Sequence, residues 1–385
     1  MQLDSTLNLG STRLLKALDS LTDAGPPDFL RTYHDRPGRP LRAYIPEKPV
    51  EELCWNARYQ IRELLGHGAQ GVVYLAKREG VDGYYTNVAL KLFYRNPEVT
   101  PEEYASEMRR VGLQAKRVSG VQHDNLISIR DFVALGETRV MVLEWIEGYD
   151  LARLLELERH DSLGRRLTKR LWDRLNDVVV TQGEDHCRLK PGIAVDIIRG
   201  CLAGLSSLHH AGIVHCDLKP SNIMIKRTGT KKIIDIDSSC IVDEDPPHLR
   251  GTPYYMAPEQ LLGKPVRFGS DIASLGYVLI EMLTGRLLFR DCRSVDDLLK
   301  AKLELPSRLD HILPGEVKSD SLLRGLVSKM VAVDPKLRFA DADAADLDRM
   351  GAVSFHRQLV KSDLSTEYDR ELAWWVDFLD ESGGP

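Results

Sequence analysis

The sequence predicts an α+β protein in two lobes: a β-rich N-terminal lobe with one long helix, and a larger, mostly helical C-terminal lobe. Three observations carry this. From Tyr59, an alternating apolar pattern runs on both sides of a glycine-rich turn, YQIRELLGHGAQGVVYLAKRE, the pattern of a β-hairpin. NVALKLFY, HDNLISIRDFVAL and RVMVLEWI read as further strands around a single helical segment. From about Leu151 onward, helical periodicity replaces strand alternation.

Taken in order, residues 1–57 read as peripheral. Leu14, Leu15, Leu18 and Leu21 line one face of a short helix, and the stretch after them is dense in Pro and Gly. Proline removes backbone donors, so this stretch is expected as an extended tether laid over a folded body. The helix of the first lobe begins at TPEE. Thr100 caps it, Pro101 suits the first helical position, and Glu103 completes a T-x-x-E capping box. In the second lobe Leu163, Leu167, Leu171 and Leu175 recur every four residues. IAVDIIRGCLAGLSSLHH is an amphipathic helix, and SDIASLGYVLIEMLTG is so nearly all apolar that it is expected at the centre of the lobe. The stretch from Ser362 to Pro385 holds seven acids and one base. Adjacent Trp374 and Trp375 cannot share one helix face, so one is expected to pack on the body.

Composition narrows the function classes. The 385 residues are 43% hydrophobic and 28% charged, with a net charge of -5. That balance suits a globular domain and lacks the basic footprint of a nucleic-acid partner. No apolar run approaches the ~18 residues of a membrane span, and the first residues lack a signal-peptide pattern. Cysteines 54, 187, 201, 216, 240 and 292 form no C-x-x-C pair, so neither a zinc site nor a disulfide framework is expected. The chain reads as reduced and cytoplasmic.

Five short motifs follow one another. Gly66-His67-Gly68-Ala69-Gln70-Gly71 with Val73 places backbone N–H groups where phosphates could approach unobstructed. By itself this is a common turn, and its hairpin context argues against a dinucleotide fold. Val88-Ala89-Leu90-Lys91 puts a lysine on a strand; alone, it could be an edge-strand solubility lysine. His215-Cys216-Asp217-Leu218-Lys219-Pro220-Ser221-Asn222 decides between these readings. Asp235-Ile236-Asp237 follows, then Gly251-Thr252-Pro253-Tyr254-Tyr255-Met256-Ala257-Pro258-Glu259, with Asp271 and Arg338 further on.

This ordered set resembles the eukaryotic-type Ser/Thr protein kinase family. The resemblance covers Tyr59 to about residue 355 and implies a bilobal protein-kinase fold with ATP in the cleft. It implies a kinase domain over 58–355, divided into lobes 58–147 and 148–355, with a charged insert at about 156–190 and an acidic tail over 356–385. By the same resemblance, Leu65, Gly66, His67, Gly68, Ala69, Gln70, Gly71, Val73 and Ala89 border the nucleotide. Lys91 holds its α- and β-phosphates. Leu143, Glu144 and Ile146 match the hinge whose backbone binds adenine, and Asp150 sits where an acid could reach the ribose. Asp217 matches the base for the substrate hydroxyl, Lys219 the γ-phosphate lysine, and Asn222 and Asp235 the Mg²⁺ ligands. ATP and Mg²⁺ are thus the expected cofactors. Glu259 and Arg338 are expected to form a buried ion pair.

The sequence departs from the family pattern at several points. Two side chains compete as the helix partner of Lys91. Glu107 is favoured, while the spacing to His123-Asp124-Asn125 selects Gln114. Asp237 stands where the family has glycine; Asp tolerates left-handed backbone, and an inactive loop or an extra metal ligand are the alternatives. Cys216 replaces an arginine that grips an activation-loop phosphate, so activity is expected not to require loop phosphorylation; its thiol reads as buried and inert. Ser238, Ser239 and Thr252 remain candidate phosphorylation sites. The insert reads as a solvated helical face, with partner docking on it or on the acidic tail 362–385 as the alternative.

The function implied is transfer of the γ-phosphate of Mg-ATP to a protein hydroxyl by a Ser/Thr kinase. A pseudokinase scaffold and a small-molecule kinase of the same fold are the alternatives.

Overall fold

The computed structural model describes residues 52–54, 58–68, 71–243, 251–361 and 367–380. The expectations for the N-terminal leucines and the Pro/Gly stretch, and for Ala69 and Gln70, lie outside the described residues.

The first lobe is one antiparallel sheet. Its strands are β1 (Glu52–Cys54), β2 (Arg58–Gly68), β3 (Gly71–Glu79), β4 (Tyr85–Phe93), β5 (Ile129–Leu135) and β6 (Thr138–Glu144), in the order β1-β2-β3-β4-β6-β5. β1 lies inside the stretch read as an extension, so the sheet begins before residue 58. Side chains alternate between two faces. Tyr59, Ala76, Val88, Leu90, Leu92, Val140 and Val142 close on one face as a small core of their own. The intervening residues point the other way. Val73 pairs with Lys91 and Lys91 with Met141 across the strands, while Ala89 pairs with Leu143. Directly opposed residues share a face, so Val73, Ala89, Lys91 and Leu143 line one surface. Gly71 is needed at the start of β3 because a Cβ there would collide with the Leu92 carbonyl.

Helix α1 (Pro101–Ser119) packs beneath this sheet, and its expected capping box is present. The Glu103 N–H donates to Thr100 Oγ1 at 3.2 Å, and the Thr100 N–H donates to Glu103 Oε2 at 2.9 Å. Met108, Val111, Gln114, Ala115 and Val118 form its buried stripe.

Between the lobes the chain is sewn down. β7 (Gly148–Asp150), just past the sheet, already pairs with a strand of the second lobe. In the second lobe α2 (Leu157–Arg166) and α3 (Lys169–Val178) precede the short pair β8 (Val180–Thr181) and β9 (Arg188–Leu189). Then come α4 (Pro191–His210), β10 (Ile213–Val214), β11 (Ile223–Lys226), β12 (Lys231–Ile233) and β13 (Cys240–Ile241). The Ile127 N–H donates to the Ile233 carbonyl at 2.9 Å, and Ile233 donates back to Asn125 at 2.8 Å. Lys232 Nζ donates to the Leu126 carbonyl at 2.8 Å and to Glu144 Oε1 at 2.5 Å, which also accepts from the Ser128 N–H at 2.7 Å.

The core of the second lobe is α4 against α5 (Phe268–Thr284). Every residue of α5 from Gly269 to Thr284 is buried, as its apolar run predicts. By length and composition α4 could cross a membrane; here its apolar side is spent inside the lobe. Further helices α6 (Val295–Ile312), α7 (Ser321–Met330) and α8 (Ala352–Lys361) complete the lobe, and α9 (Tyr368–Asp380) lies back on it. α8 runs through residue 355, where the acidic tail was expected to begin.

The leucine repeat of the insert is split between α2 and α3, with Leu163 and Leu175 buried. The insert is more than a solvated face, because it receives α9. Arg174 Nη2 pairs with Glu371 Oε1 at 2.7 Å, and its guanidinium lies 5.0 Å from the centre of the Trp374 ring. Trp375 is 1% exposed, whereas Trp374 meets Phe378 edge-on at 4.6 Å between ring centres. Part of the surface considered for docking is therefore taken up by an internal contact.

One carboxylate in α5 makes stability depend on pH. Glu281 accepts from Tyr255 Oη at 2.8 Å. Burial pushes its carboxyl up to about 7, against the opposing effects of that hydrogen bond and of nearby Lys302. A folded-state value above the unfolded one means that the folded protein holds its proton more tightly. The fold is then most stable below the unfolded value and loses that stability as pH rises through about 7. Between pH 6 and 8 the wild type should lose about 1 kcal/mol that Glu281→Gln retains. Urea melts of both proteins at the two pH values check this; parallel pH slopes would disprove it.

Candidate active site

The segment after β10 is braced from beneath by Asp271, near the start of α5. Its Oδ2 accepts from the His215 N–H at 2.8 Å and its Oδ1 from the Cys216 N–H at 2.9 Å. His209 Nε2 lies 3.0 Å from Oδ2. With its backbone gripped at two successive amides, Cys216 adopts a left-handed φ of 70°. Its carbonyl accepts from Gln260 Nε2 at 3.2 Å and lies against Gly251, whose φ is 112° and where a Cβ would come within 2.6 Å of that oxygen. Cys216 Sγ lies 3.3 Å from Cys240 Sγ, and both thiols are free. The hydrogen bond with Cys240 and burial push the Cys216 thiol well up, which suppresses the reactive thiolate.

This bracing presents Asp217. Its Oδ2 accepts from Lys219 Nζ at 2.9 Å and from Asn222 Nδ2 at 3.1 Å; its Oδ1 accepts from the Thr252 N–H at 2.8 Å. Lys219 Nζ also donates to Thr252 Oγ1 at 2.7 Å. Asn222 is fixed a second time, through Nδ2 to the Asp217 carbonyl at 2.8 Å. Both amide bonds use the nitrogen, so the amide oxygen is the end left to face a cation. The Asn222 carbonyl accepts from the Ile234 N–H at 2.9 Å, which ties this loop to the Asp235 segment.

Asp235 sits at a left-handed φ of 61° and accepts from Lys91 Nζ at 2.7 Å. Burial acts to raise its carboxyl, but Lys91 outweighs this, with Lys219 and His215 adding, and holds it below its ordinary value. Lys91 Nζ forms a second ion pair, with Asp237 Oδ2. The Lys91 ammonium is buried, which alone would lower its pKa; the two carboxylates reverse that and raise it. Asp237 is 1% exposed, and burial pushes its carboxyl up to about 6 despite Lys91. Its φ is not left-handed, so the backbone freedom of glycine is not what position 237 uses; Asp235 is the residue in that conformation.

Glu107 does not pair with Lys91. Its side chain is 45% exposed and binds Arg110, three residues on, at 3.0 Å (Nε–Oε2) and 2.6 Å (Nη2–Oε1). Gln114 occupies the buried stripe of α1, at 2% exposure. Helix phase does not separate the two, since residues seven apart share a face; Glu107 lies two turns, about 10 Å, nearer the start of α1, where its side chain reaches solvent and Arg110.

The surface above carries the other expected nucleotide neighbours. Ala89 and Ile146 are buried, Leu65, Gly66, Val73, Leu143 and Glu144 half-buried, and His67 exposed; Gly68 pairs with Gly71 to close the hairpin. The Glu144 carboxylate is committed to Lys232, and its backbone N–H donates to the Ser128 carbonyl at 3.0 Å. Asp150 caps the short helix Leu151–Leu154, with its Oδ1 accepting from the Arg153 N–H at 3.0 Å. Burial raises the Asp150 carboxyl, partly offset by that bond and by Arg153.

Glu259 and Arg338 meet in the second lobe as a fork, at 2.7 and 2.8 Å. The candidate phosphorylation sites fare differently. Ser238 and Ser239 are buried, 5% and 1% exposed, and so are not presented to another enzyme. The Thr252 hydroxyl is engaged by Lys219. Sequence reasoning missed the roles of Arg110, Gln260 and Lys232, which carry no motif of their own; Asp237 was visible as an oddity without its partner.

The family model described as the protein kinase domain matches residues 59–347. This chain belongs to the protein kinase family. It is 28% identical over 300 residues to the serine/threonine-protein kinase pkn3 of Myxococcus xanthus, covering 74% of this chain and 48% of the relative. To PksC of Streptomyces coelicolor it is 29% identical over 306 residues, covering 75% and 48%; to PrkC of Bacillus subtilis it is 28% identical over 302 residues, covering 76% and 40%. Each is named a serine/threonine-protein kinase, and the chain spans about half or less of their lengths. The bilobal kinase fold expected from the motifs is the fold described above. Among the departures from the kinase pattern, position 237 has a structural replacement, in the ion pair it makes with the strand lysine.

Proposed function

We propose that the chain is an active Ser/Thr protein kinase that moves the γ-phosphate of Mg-ATP to a protein hydroxyl. The single observation that carries this is the cluster of Asp217, Lys219, Asn222 and Thr252, in which Lys219, Asn222 and the Thr252 N–H all donate to the Asp217 carboxylate. Asp217 takes the proton of the acceptor hydroxyl as its oxygen bonds to the γ-phosphorus and the bridging oxygen departs with ADP. Lys219, held between Asp217 and Thr252, sits beside the carboxylate to offset charge on the phosphoryl oxygens. Lys91 holds the α- and β-phosphates. The Asp235 carboxylate and the Asn222 amide oxygen are hard donors that fit Mg²⁺. That ion, when bound, neutralises the charge that builds on the phosphates.

The buried serines and the absence of arginine at position 216 support activity without phosphorylation of residues 238–243. A second reading, a nucleotide-binding scaffold, is favoured by one observation: Lys91 is already satisfied by two carboxylates. Purified protein incubated with γ-labelled ATP, Mg²⁺ and a generic basic protein separates the two. Label transfer is the expected result. A rise in melting temperature with ATP, without transfer, would replace the kinase by the scaffold.

A further inference from the structure

A lysine that must aim its ammonium at phosphates needs an anionic anchor, because its four-carbon stem otherwise samples many rotamers. On α1 nothing supplies that anchor. Gln114, at the position selected by the spacing to His123-Asp124-Asn125, is neutral, and Glu107 is turned outward onto Arg110. The carboxylate that completes the pair comes from elsewhere. Asp237 is enclosed, carries its charge directly against Lys91, and needs no unusual backbone to do so.

Asp237 is itself fixed from the helix. Arg110 Nη1 donates to the Asp237 carbonyl at 2.8 Å, while Glu107 holds the same guanidinium through two bonds. The polar chain therefore runs Glu107–Arg110–Asp237–Lys91. α1 reaches the lysine through the segment after Asp235 and not through a side chain of its own.

We infer that Asp237 is the positioning residue for Lys91, taking over from a helix carboxylate, with Arg110 as the tie that seats it. This rests on the kinase reading and adds to it: the placement of Lys91 follows the segment 235–237. Asp237 acts on transfer only through the lysine.

The test is steady-state transfer by the full chain, with kcat and the KM for ATP measured separately, in Asp237→Asn, Asp237→Gly and Asp237→Gly combined with Gln114→Glu. Melting temperatures monitor folding. The expected result is a fall in kcat of roughly 10- to 100-fold in the two single variants, with KM changed by less than about threefold. Gln114→Glu, by returning a carboxylate to the helix, should recover at least about fivefold of kcat in the glycine background. A purely structural role for Asp237 would not respond to a carboxylate relocated to another element. A kcat for Asp237→Asn within about twofold of an active wild type would overturn the inference alone. So would a loss that Gln114→Glu leaves untouched. An inert wild type would overturn the kinase reading and this inference with it.

Discussion

Asp217→Ala should lower turnover by about 10²- to 10⁴-fold, the contribution of a positioned general base, while ATP still raises the melting temperature. The separation follows from what Asp217 touches. Its partners are Lys219, Asn222 and Thr252, in the second lobe, whereas Lys91, Leu143 and Glu144 lie on the sheet of the first. Asp217→Asn should be nearly as damaging. The amide keeps the shape but sets an N–H₂ against either the Lys219 ammonium or the Thr252 N–H. Label transfer equal to wild type in either variant would end the assignment of Asp217. Loss of both transfer and ATP binding would instead mean that the loop had collapsed.

The second large effect is on folding. Arg338→Ala should cost roughly 3–5 kcal/mol, because it leaves the Glu259 carboxylate buried and unpaired. The loss extends beyond one ion pair. Arg338 also donates to the carbonyls of Ala332 at 2.6 Å, Gly269 at 3.0 Å and Val333 at 3.1 Å, and Ser270 Oγ donates to Glu259 at 2.7 Å. One guanidinium thus binds the start of α5 to the segment after α7. Replacing both partners, Glu259→Leu with Arg338→Met, should cost less than the single change, since no charge is stranded. Guanidinium melts give the comparison; a single variant within about 1 kcal/mol of wild type would refute it.

Much of the fold was legible because its cues are local. The capping box at Thr100 and Glu103, the alternation around the glycine hairpin and the apolar run of α5 each specify their element without help from distant residues. The motifs placed Asp217, Lys219 and Asn222 on one short stretch, so their proximity needed no tertiary knowledge. What was not legible depends on position along a helix and on contacts between distant segments. Glu107 and Gln114 lie seven residues apart, and spacing alone could not say which one the core would claim. Asp237 could be seen as unusual, but its partner lies 146 positions earlier in sequence, on another lobe. The contact between the insert and α9 is equally non-local. Arg174 and Glu371 are ordinary surface residues until the two helices meet.

The Lys232 clasp bears on how the cleft can breathe. Glu144, Leu126 and Ser128 are all tied to one ammonium or its carboxylate, at the seam where the sheet joins the second lobe. A seam fastened at several points resists sliding and separation more than it resists tilting about its own line. Motion is then smallest at the edge where the proposed site would take adenine and grows with distance from it, towards the glycine hairpin. On the proposed reading, spent nucleotide should leave phosphates first, by the hairpin lifting, with the base the last part to let go.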